Sequence, residues 1–581
     1  MKMGVMSVRR TKIVATLGPA SANRETFVKL VEQGLDVARI NLSHGTVDHH
    51  RTVIQMVRDV ERAMGRPIGV MLDTAGPEVR IRTKSSDGLD LVSGTELTLG
   101  SYDADLSPNI TDLVSYLEEG DRLVLGDGNL SLRVTKTGNP ARVQVESSGF
   151  LADNKKITCP GQVWPLPVLT DVDQAALKMG AEEGIDWIAA SFIRTADDVV
   201  HVRRFLEELG SPVPIIAKIE TKAAIENLEA VVRMSDGIMV ARGDLGVEYA
   251  PEDVPWLQRA IINQANRAGK PVITATQMLD SMVHEMRPTR AEVTDVAHAV
   301  LEGSDAVMLS EETAAGEYPV EALGVMARTV EVSEAHPGDP RKPRFVSGTI
   351  TDGVCHAALT AADDLGARVI VTATETGHTA FSMAAHRPNV PILAVTPYDW
   401  VARRLTLGWG IHCQLMNEHR SLEAMMADAV AIAVREGWAS NGERVIITAG
   451  APVGQAGTTN VLRVVTVGDV LLRGQGMGPE GEVGGLVMVV RDPDKVSPDE
   501  VKGRVLVVPA SDGEWTPLME QAVAIVAEEG GMTSHAAVVG VSLGIPTIVG
   551  VDRATERLTS GQAVTVDAVG GLVLSGSFKD N

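Results

Sequence analysis

Three scarcities bound what this 581-residue chain can be. Cysteine occurs three times, at Cys159, Cys355 and Cys413, an odd number at wide spacings that suits neither a disulfide framework nor a set of zinc ligands. A reducing cytoplasm is the expected compartment. No apolar run approaches the roughly 20 residues needed to cross a bilayer, and Met1 to Arg10 lacks the apolar centre of a signal peptide, so no membrane attachment is expected. Positive charge is also short: 53 Lys and Arg face 76 Asp and Glu, a net charge of −23. Such a chain repels nucleic acid and acidic lipid, and a phosphate-bearing ligand would need local cations or bound metal.

What is present is length and rhythm. At about 100 to 200 residues per domain the chain implies three to five domains. Short apolar runs near 13–17, 37–40, 68–72, 186–190, 215–218, 237–240, 271–274 and 305–309 alternate with segments of helical spacing such as Val53, Met56, Val57, Val60 and Met64. Eight βα units predict a closed parallel (β/α)8 barrel with its chemistry at the carboxyl ends of the strands. Polar residues gather there: Arg39, Asn41 and Ser43, then Asp73 and Thr74, Lys218 and Glu220, Asp244, Thr276 and Ser310.

The rhythm breaks between Glu78 and Pro165, where runs such as Arg122 to Leu125 and Arg142 to Glu146 sit among turn residues, which predicts an inserted β-barrel domain. After a linker at Pro337 to Arg344, candidate strands at Val369–Thr372, Ile392–Val395, Val445–Ile447 and Val461–Val467 predict a three-layer α/β domain. A glycine-rich stretch, Gly474 to Gly485, reads as a second linker before a final α/β segment with runs at Val505–Val508, Ala524–Ile525 and Thr547–Val549. The expected domains are 1–77 with 165–336, then 78–164, 337–473 and 474–581.

Particular side chains carry chemistry. Lys218 places a flexible ammonium at the barrel mouth, where it can neutralise charge on a phosphoryl group in transfer; its plainer role is an ion pair with Glu220. Glu220 and Asp244 offer two carboxylates from neighbouring strands, suited to a hard octahedral cation, Mg²⁺ with Mn²⁺ as a substitute. Asp244 follows Ala241-Arg242-Gly243, whose backbone N–H groups are placed to line an anion pocket. Asn41, Ser43, Asp73 and Thr74 offer oxygens of a kind that suits a large monovalent cation, and Arg39 and Arg80 flank them with guanidinium forks that recognise phosphate.

The segments Thr11–Ser21, Ala38–Gly45 (ARINLSHG) and Leu72–Arg80 (LDTAGPEVR), followed in order by Ile215–Glu220, Val240–Glu248, Ala275–Leu279, Pro288–Glu292 and Met308–Ser310, closely resemble pyruvate kinase. The resemblance implies transfer of the phosphoryl group of phosphoenolpyruvate to ADP, giving pyruvate and ATP. It assigns Lys218 to the transition state, Arg39, Gly243, Asp244 and Thr276 to substrate, and Glu220 and Asp244 to Mg²⁺. It assigns Asn41, Ser43, Asp73 and Thr74 to K⁺, and Arg80, Lys156, Asn41 and His44 to nucleotide, with Asp127 as a further contact. Thr276 and Ser310 would organise the water that protonates the enolate, and the inserted domain would close over the mouth to exclude bulk water.

The resemblance further implies a homotetramer joined through the barrel and third domains. It also implies an effector loop for a sugar phosphate or nucleotide at Thr374–Thr379, although Glu375 and His378 bring it little positive charge. Two residues depart from the family pattern: Ala75 stands where Lys is usual, and Glu311 where Gly is usual. Glu78 keeps the acidic form of its motif, which implies activation by K⁺.

The tail, Glu528–Ala537 (EEGGMTSHAA) and Leu543–Gly550, resembles the swivelling phosphohistidine domain of phosphoenolpyruvate-utilising enzymes, with His535 at the histidine position. No segment is left for the ATP-grasp domain that would charge it. A structural or regulatory appendage is therefore expected, rather than a phosphocarrier like that of phosphoenolpyruvate synthase or a phosphotransfer-system enzyme. A pyruvate-type aldolase would not need the inserted domain, and a non-catalytic metabolite sensor would not need Lys218, Glu220, Asp244 and Thr276 together.

Overall fold

The computed structural model describes residues 9–101, 103–110, 112–126, 128–336, 348–453, 459–468, 470–479 and 481–576. The chain forms two compact units. One runs to Asp352 and includes Glu375–Arg387 and Tyr398–Leu415; the other comprises Gly353–Thr374, Pro388–Pro397 and everything from Met416 onward.

In the first unit, eight parallel strands close into a barrel in sequence order: Lys12–Leu17, Val37–Asn41, Gly69–Asp73, Trp187–Ala190, Ile215–Ile219, Gly237–Ala241, Val272–Ala275 and Ala306–Leu309. The strands read as continuous apolar runs because both faces are covered, one by helices and one by the barrel's own interior. The intervening helices start and stop where local chemistry dictates. Asn23, Thr46, Thr170 and Thr289 each cap a helix by accepting a backbone N–H, with reciprocal capping boxes to Asp173 and Glu292.

Between the third and fourth barrel strands lies the inserted domain, a separate closed barrel of seven strands that includes Arg80–Thr83, Arg122–Leu125, Ala141–Val145 and Lys155–Thr158. Its core is its own: Ile81, Leu99, Leu106, Leu123, Leu132, Val143 and Ile157 are buried together.

In the second unit, Ile392–Thr396, Val369–Ala373 and Arg444–Gly450 are parallel neighbours, and Thr459–Thr466 pairs antiparallel beside them. The helix Leu422–Arg435 buries Met425, Met426, Ala429 and Ile432 against this sheet. A further eight-stranded sheet contains the expected runs as Val505–Val508, Ala524–Ala527 and Thr547–Val549.

The second expected linker is corrected. Val470–Arg473 pairs with Leu572–Leu574, Gln475–Met477 pairs with Thr547–Val549, and Glu482–Val489 pairs with Ala563–Asp567 on one side and with Val505–Val507 on the other. Gly474, Gly476, Gly478 and Gly485 mark close packing, not a flexible tether. A Cβ on Gly476 would lie 1.7 Å from the Ala568 carbonyl oxygen. The linker expected at Pro337–Arg344 lies outside the described residues. Among the described residues no helix is long and apolar enough to cross a membrane.

Candidate active site

Alternation along the strands builds the site. Val14, Val37, Met71, Ala189, Ile216 and Met308 form a buried layer inside the barrel. Two residues further along each strand, the same face presents Thr16, Arg39, Asp73, Ser191, Lys218 and Ser310. A packed apolar floor thus carries a polar layer at the carboxyl ends of the strands, as a parallel barrel requires.

Asp73 is the centre of that layer and fully buried. Its Oδ2 accepts from Arg39 Nε at 2.7 Å, and its Oδ1 lies 3.1 Å from Lys218 Nζ and 3.2 Å from Ser191 Oγ. Arg39 Nη1 also donates to Thr16 Oγ1 at 2.8 Å. Burial alone would raise the Asp73 pKa, but the Arg39 and Lys218 charges outweigh it and hold the carboxyl below its usual range. Burial would likewise discharge Lys218, yet Asp73 and Glu220 hold its ammonium more firmly protonated than an ordinary lysine. The plain ion pair of Lys218 with Glu220 is therefore present, as part of a larger cluster.

Glu220 Oε2 accepts from the Phe192 N–H at 2.7 Å. Its Oε1 lies 2.8 Å from Lys218 Nζ, off the hydrogen-bonding direction, and is buried with no hydrogen bond. Burial and the neighbouring Asp244 raise the Glu220 pKa. For Asp244 burial acts in the same sense, but Lys156 and Lys218 prevail and lower it. A buried carboxylate with an oxygen that accepts no hydrogen bond, beside the half-buried carboxylate of Asp244, fits a hard cation that takes its remaining ligands from water and substrate. Among the described residues no cluster of three or more His, Cys, Asp or Glu gathers as a metal cage, which a cation of that kind does not need.

For the monovalent cation, strand register sets Asn41 directly opposite Asp73, with Thr74 next in the chain. Asn41 Oδ1 accepts from Ser43 N at 3.2 Å. The set of amide, hydroxyl, carboxylate and carbonyl oxygens fits K⁺ in kind.

The expected anion pocket is corrected in one respect. The Gly243 N–H is not free: it donates to Thr276 Oγ1 at 2.8 Å. Thr276 and Gln277 both hold positive φ, 67° and 53°, a region costly for a β-branched residue. Arg242 braces that turn by donating to the Thr276 carbonyl and to Asp295, each at 2.6 Å. Ser310 Oγ is buried without a hydrogen-bond partner. Glu311 is exposed in the first turn of the short helix Glu311–Ala314, which removes the departure at that position from the buried layer.

Of the nucleotide candidates, Lys156 is on the inserted domain. It lies 2.6 Å from Asp244 Oδ1 and over the Phe192 ring at 4.6 Å. Arg80 is its cross-strand partner and pairs with Glu78 at 2.6 Å, and Asn41 lies opposite Asp73. His44 is exposed, and Asp127 lies outside the described residues.

Both limbs that connect the lid to the barrel are fixed. Asp173, buried at the start of its helix, accepts from the Ala75 and Gly76 N–H groups at 2.8 and 3.2 Å. Arg194, paired with Asp198, donates to the Trp164 and Leu166 carbonyls at 3.0 and 3.1 Å. Ala75 is thus used through its backbone.

Elsewhere, the candidate effector loop ends at Gly377 (φ 88°) and the helix His378–Ala385. Desolvation and the Lys270 charge lower the His378 pKa, which works against the ring supplying charge for an anion. His535 opens the helix His535–Leu543, with Nδ1 3.2 Å from Ser511 Oγ.

Ser191, Phe192, Asp173 and Arg194 are absent from the sequence-based candidates. Ser191 carried a usable signal, since it directly follows the fourth barrel strand, where the polar-residue rule points. Asp173 and Arg194 act on backbone groups distant in sequence, which no motif announces.

A lysine, an arginine and two carboxylates buried at the mouth of a parallel barrel, with the half-buried Asp244 beside them and a lid carrying further cations, define an enzyme that moves anionic groups, a phosphotransferase. The pyruvate kinase barrel-domain family matches residues 8–323, the pyruvate kinase alpha/beta-domain family residues 352–465, and the PEP-utilising enzyme mobile-domain family residues 500–571. Pyruvate kinase of Sporosarcina psychrophila is 41% identical over 584 residues, covering 98% of this chain and 99% of its own; that of Bacillus licheniformis is 42% identical over 583 residues, with the same coverage. Among solved structures, a pyruvate kinase from Cryptosporidium parvum matches with a TM-score of 0.74 and 34% identity, covering 79% of this chain and 96% of its own. The chain belongs to the pyruvate kinase family. Dependence on metal in general, and phosphoenolpyruvate and ADP as substrates, go with that family.

Proposed function

We propose that this chain transfers the phosphoryl group of phosphoenolpyruvate to ADP at the barrel mouth, and that the Lys218, Asp73, Arg39 and Glu220 cluster carries the reaction. The supporting observation is Lys218 itself: a buried ammonium 3.1 Å from one carboxylate and 2.8 Å from another, held charged at the place where phosphoryl charge would build up.

In this reading Arg39 binds the substrate phosphoryl oxygens while Asp73 fixes its guanidinium. Lys218 stays charged and stabilises the oxygens of the group in transfer. Thr276 and Gly243 hold the substrate carboxylate once the 2.8 Å bond between them is exchanged for substrate. Arg80, Lys156 and His44 orient the nucleotide. The lid excludes water so that ADP, not water, receives the phosphoryl group. Thr276 and the unpartnered hydroxyl of Ser310 hold the water from which the enolate carbon takes its proton. Mg²⁺ (or Mn²⁺) at Glu220 and Asp244, and K⁺ at Asn41, Ser43, Asp73 and Thr74, would supply positive charge to the substrate oxygens when bound.

The same reading includes a cytoplasmic homotetramer, an effector site at Thr374–Thr379 for a sugar phosphate or nucleotide, domains divided near 78, 165 and 337 with a fourth towards the C-terminus, and a terminal domain that is structural or regulatory. Pyruvate and ATP formed from phosphoenolpyruvate only when ADP is present, and lost in Lys218→Met at matched folding, is the expected result. Equal turnover in that variant would remove Lys218 from the chemistry.

A further inference from the structure

Ser191 sits immediately after the fourth barrel strand, 2% exposed, in the polar layer above the apolar floor. Its Oγ accepts from Lys218 Nζ at 2.7 Å and lies 2.6 Å from the Thr74 carbonyl oxygen, and its backbone N–H donates to Thr74 Oγ1 at 3.0 Å. A hydroxyl has one proton to give. With Lys218 donating to the oxygen, that proton goes to the Thr74 carbonyl, the nearer acceptor compared with Asp73 Oδ1 at 3.2 Å. The direction of the chain is thereby fixed: ammonium to hydroxyl to carbonyl.

The three contacts of Lys218 differ in kind. Asp73 and Glu220 are charges that hold the ammonium in the site, and Glu220 Oε1 accepts no hydrogen bond despite its proximity. Ser191 is the neutral, directional partner. Charge decides whether Lys218 is protonated, and the serine decides where its nitrogen sits.

We propose that Ser191 is a positioning residue for phosphoryl transfer, acting through Lys218: its hydroxyl ties the ammonium to the end of the third strand and sets its reach toward the phosphoryl group. This rests on the role given to Lys218 above. Reactions of this kind depend steeply on placement, with a displacement of about 1 Å costing on the order of 100-fold. Removing the hydroxyl lets the ammonium settle toward the carboxylates while the substrate still meets Arg39, Gly243 and Thr276, so turnover falls and substrate affinity does not.

The test compares Ser191→Ala, Ser191→Cys and Lys218→Met with wild type in the full-length protein. It measures kcat, KM for phosphoenolpyruvate, phosphoenolpyruvate binding without ADP by calorimetry, and Tm. The expected result is a graded loss, kcat falling roughly 10- to 100-fold for Ala and less for Cys, with KM and calorimetric affinity within about threefold. A merely structural serine would instead lower Tm and binding together. Wild-type kcat in Ser191→Ala, or a rise in KM at unchanged kcat, overturns the proposal. If Ser191→Ala does not fold, the Cys variant decides: wild-type kcat at wild-type Tm overturns it. Lys218→Met separates the two readings. If it remains active the reading of Lys218 fails; if it is inactive while Ser191→Ala is unimpaired, only the present inference fails.

Discussion

Lys156 and Asp244 meet across the cleft, Nζ 2.6 Å from Oδ1, one residue on the inserted domain and the other on the barrel. The pair joins the lid to the wall of the site through groups that the proposed reaction uses separately. Lys156→Gln would release the contact and remove a cation from the nucleotide side. The expected outcome is a rise in KM for ADP of about tenfold with KM for phosphoenolpyruvate within threefold, read by steady-state kinetics. An unchanged KM for ADP would take Lys156 out of nucleotide binding.

Asp73 neutralises two buried cations, so Asp73→Asn would leave Arg39 without its carboxylate and Lys218 with Glu220 alone. Breaking a buried pair in this way costs about 3–5 kcal/mol. The denaturation midpoint should fall accordingly and activity should drop more than about 1,000-fold. A variant as stable as wild type would show that the cluster tolerates its charge by other means.

Lys12, at the start of the first barrel strand, donates to the Ile411 carbonyl at 2.7 Å and has its pKa pushed down to about 8, chiefly by burial. Below pH 8 the lysine is charged in both the folded and unfolded chain, and the cost of burying that charge is fully present. Between pH 8 and about 10.4, the unfolded value, the unfolded chain binds more protons, so stability rises with pH across that window. The gain is on the order of 3 kcal/mol. Urea midpoints of wild type and Lys12→Met from pH 7 to 10 check it: the difference between them should shift in favour of wild type as pH rises, and a flat difference would refute the shift.

Gln277 is exposed and holds φ at 53°. Glycine adopts that conformation without the about 1–2 kcal/mol borne by other residues, and loses about 0.5–1 kcal/mol to chain entropy. Gln277→Gly should therefore stabilise the protein by up to about 1.5 kcal/mol, seen as a raised Tm. A lower Tm would mean that the glutamine side chain contributes more than the strain costs.

Activation by K⁺ should be measurable at constant ionic strength by exchange for tetramethylammonium, which is too large for the oxygens around Asp73. Activity should fall about tenfold or more, and Glu78→Lys should reduce the dependence by placing a fixed cation nearby. Equal rates in the two salts would argue against a monovalent cation at Asn41 and Asp73.

The barrel was legible because parallel strands buried on two faces leave short continuous apolar runs, and because the segments between them keep helical spacing, as at Val53, Met56, Val57 and Val60. Lys218, Glu220 and Asp244 were legible as chemistry because they follow those runs. The stretch Gly474–Gly485 was not, because glycine reads alike whether it loosens a linker or lets two backbones touch, and the strand partners and close backbones that distinguish the two, such as Ala568, are distant in sequence. Nor could the pattern show that Thr276 already occupies the Gly243 amide, since that bond joins separate strand ends.

The two clamps on the lid limbs, Asp173 at Ala75–Gly76 and Arg194 at Trp164–Leu166, act as pivots. A body held at two points can only rotate about the line through them, and displacement grows with distance from that line. Arg80 and Lys156 face each other across neighbouring strands of the lid, Arg80 four residues after Gly76 and Lys156 eight before Trp164. A lid turning about that line would carry its distant loops furthest, while the clamped backbone at Ala75–Gly76 and Trp164–Leu166 stays in place.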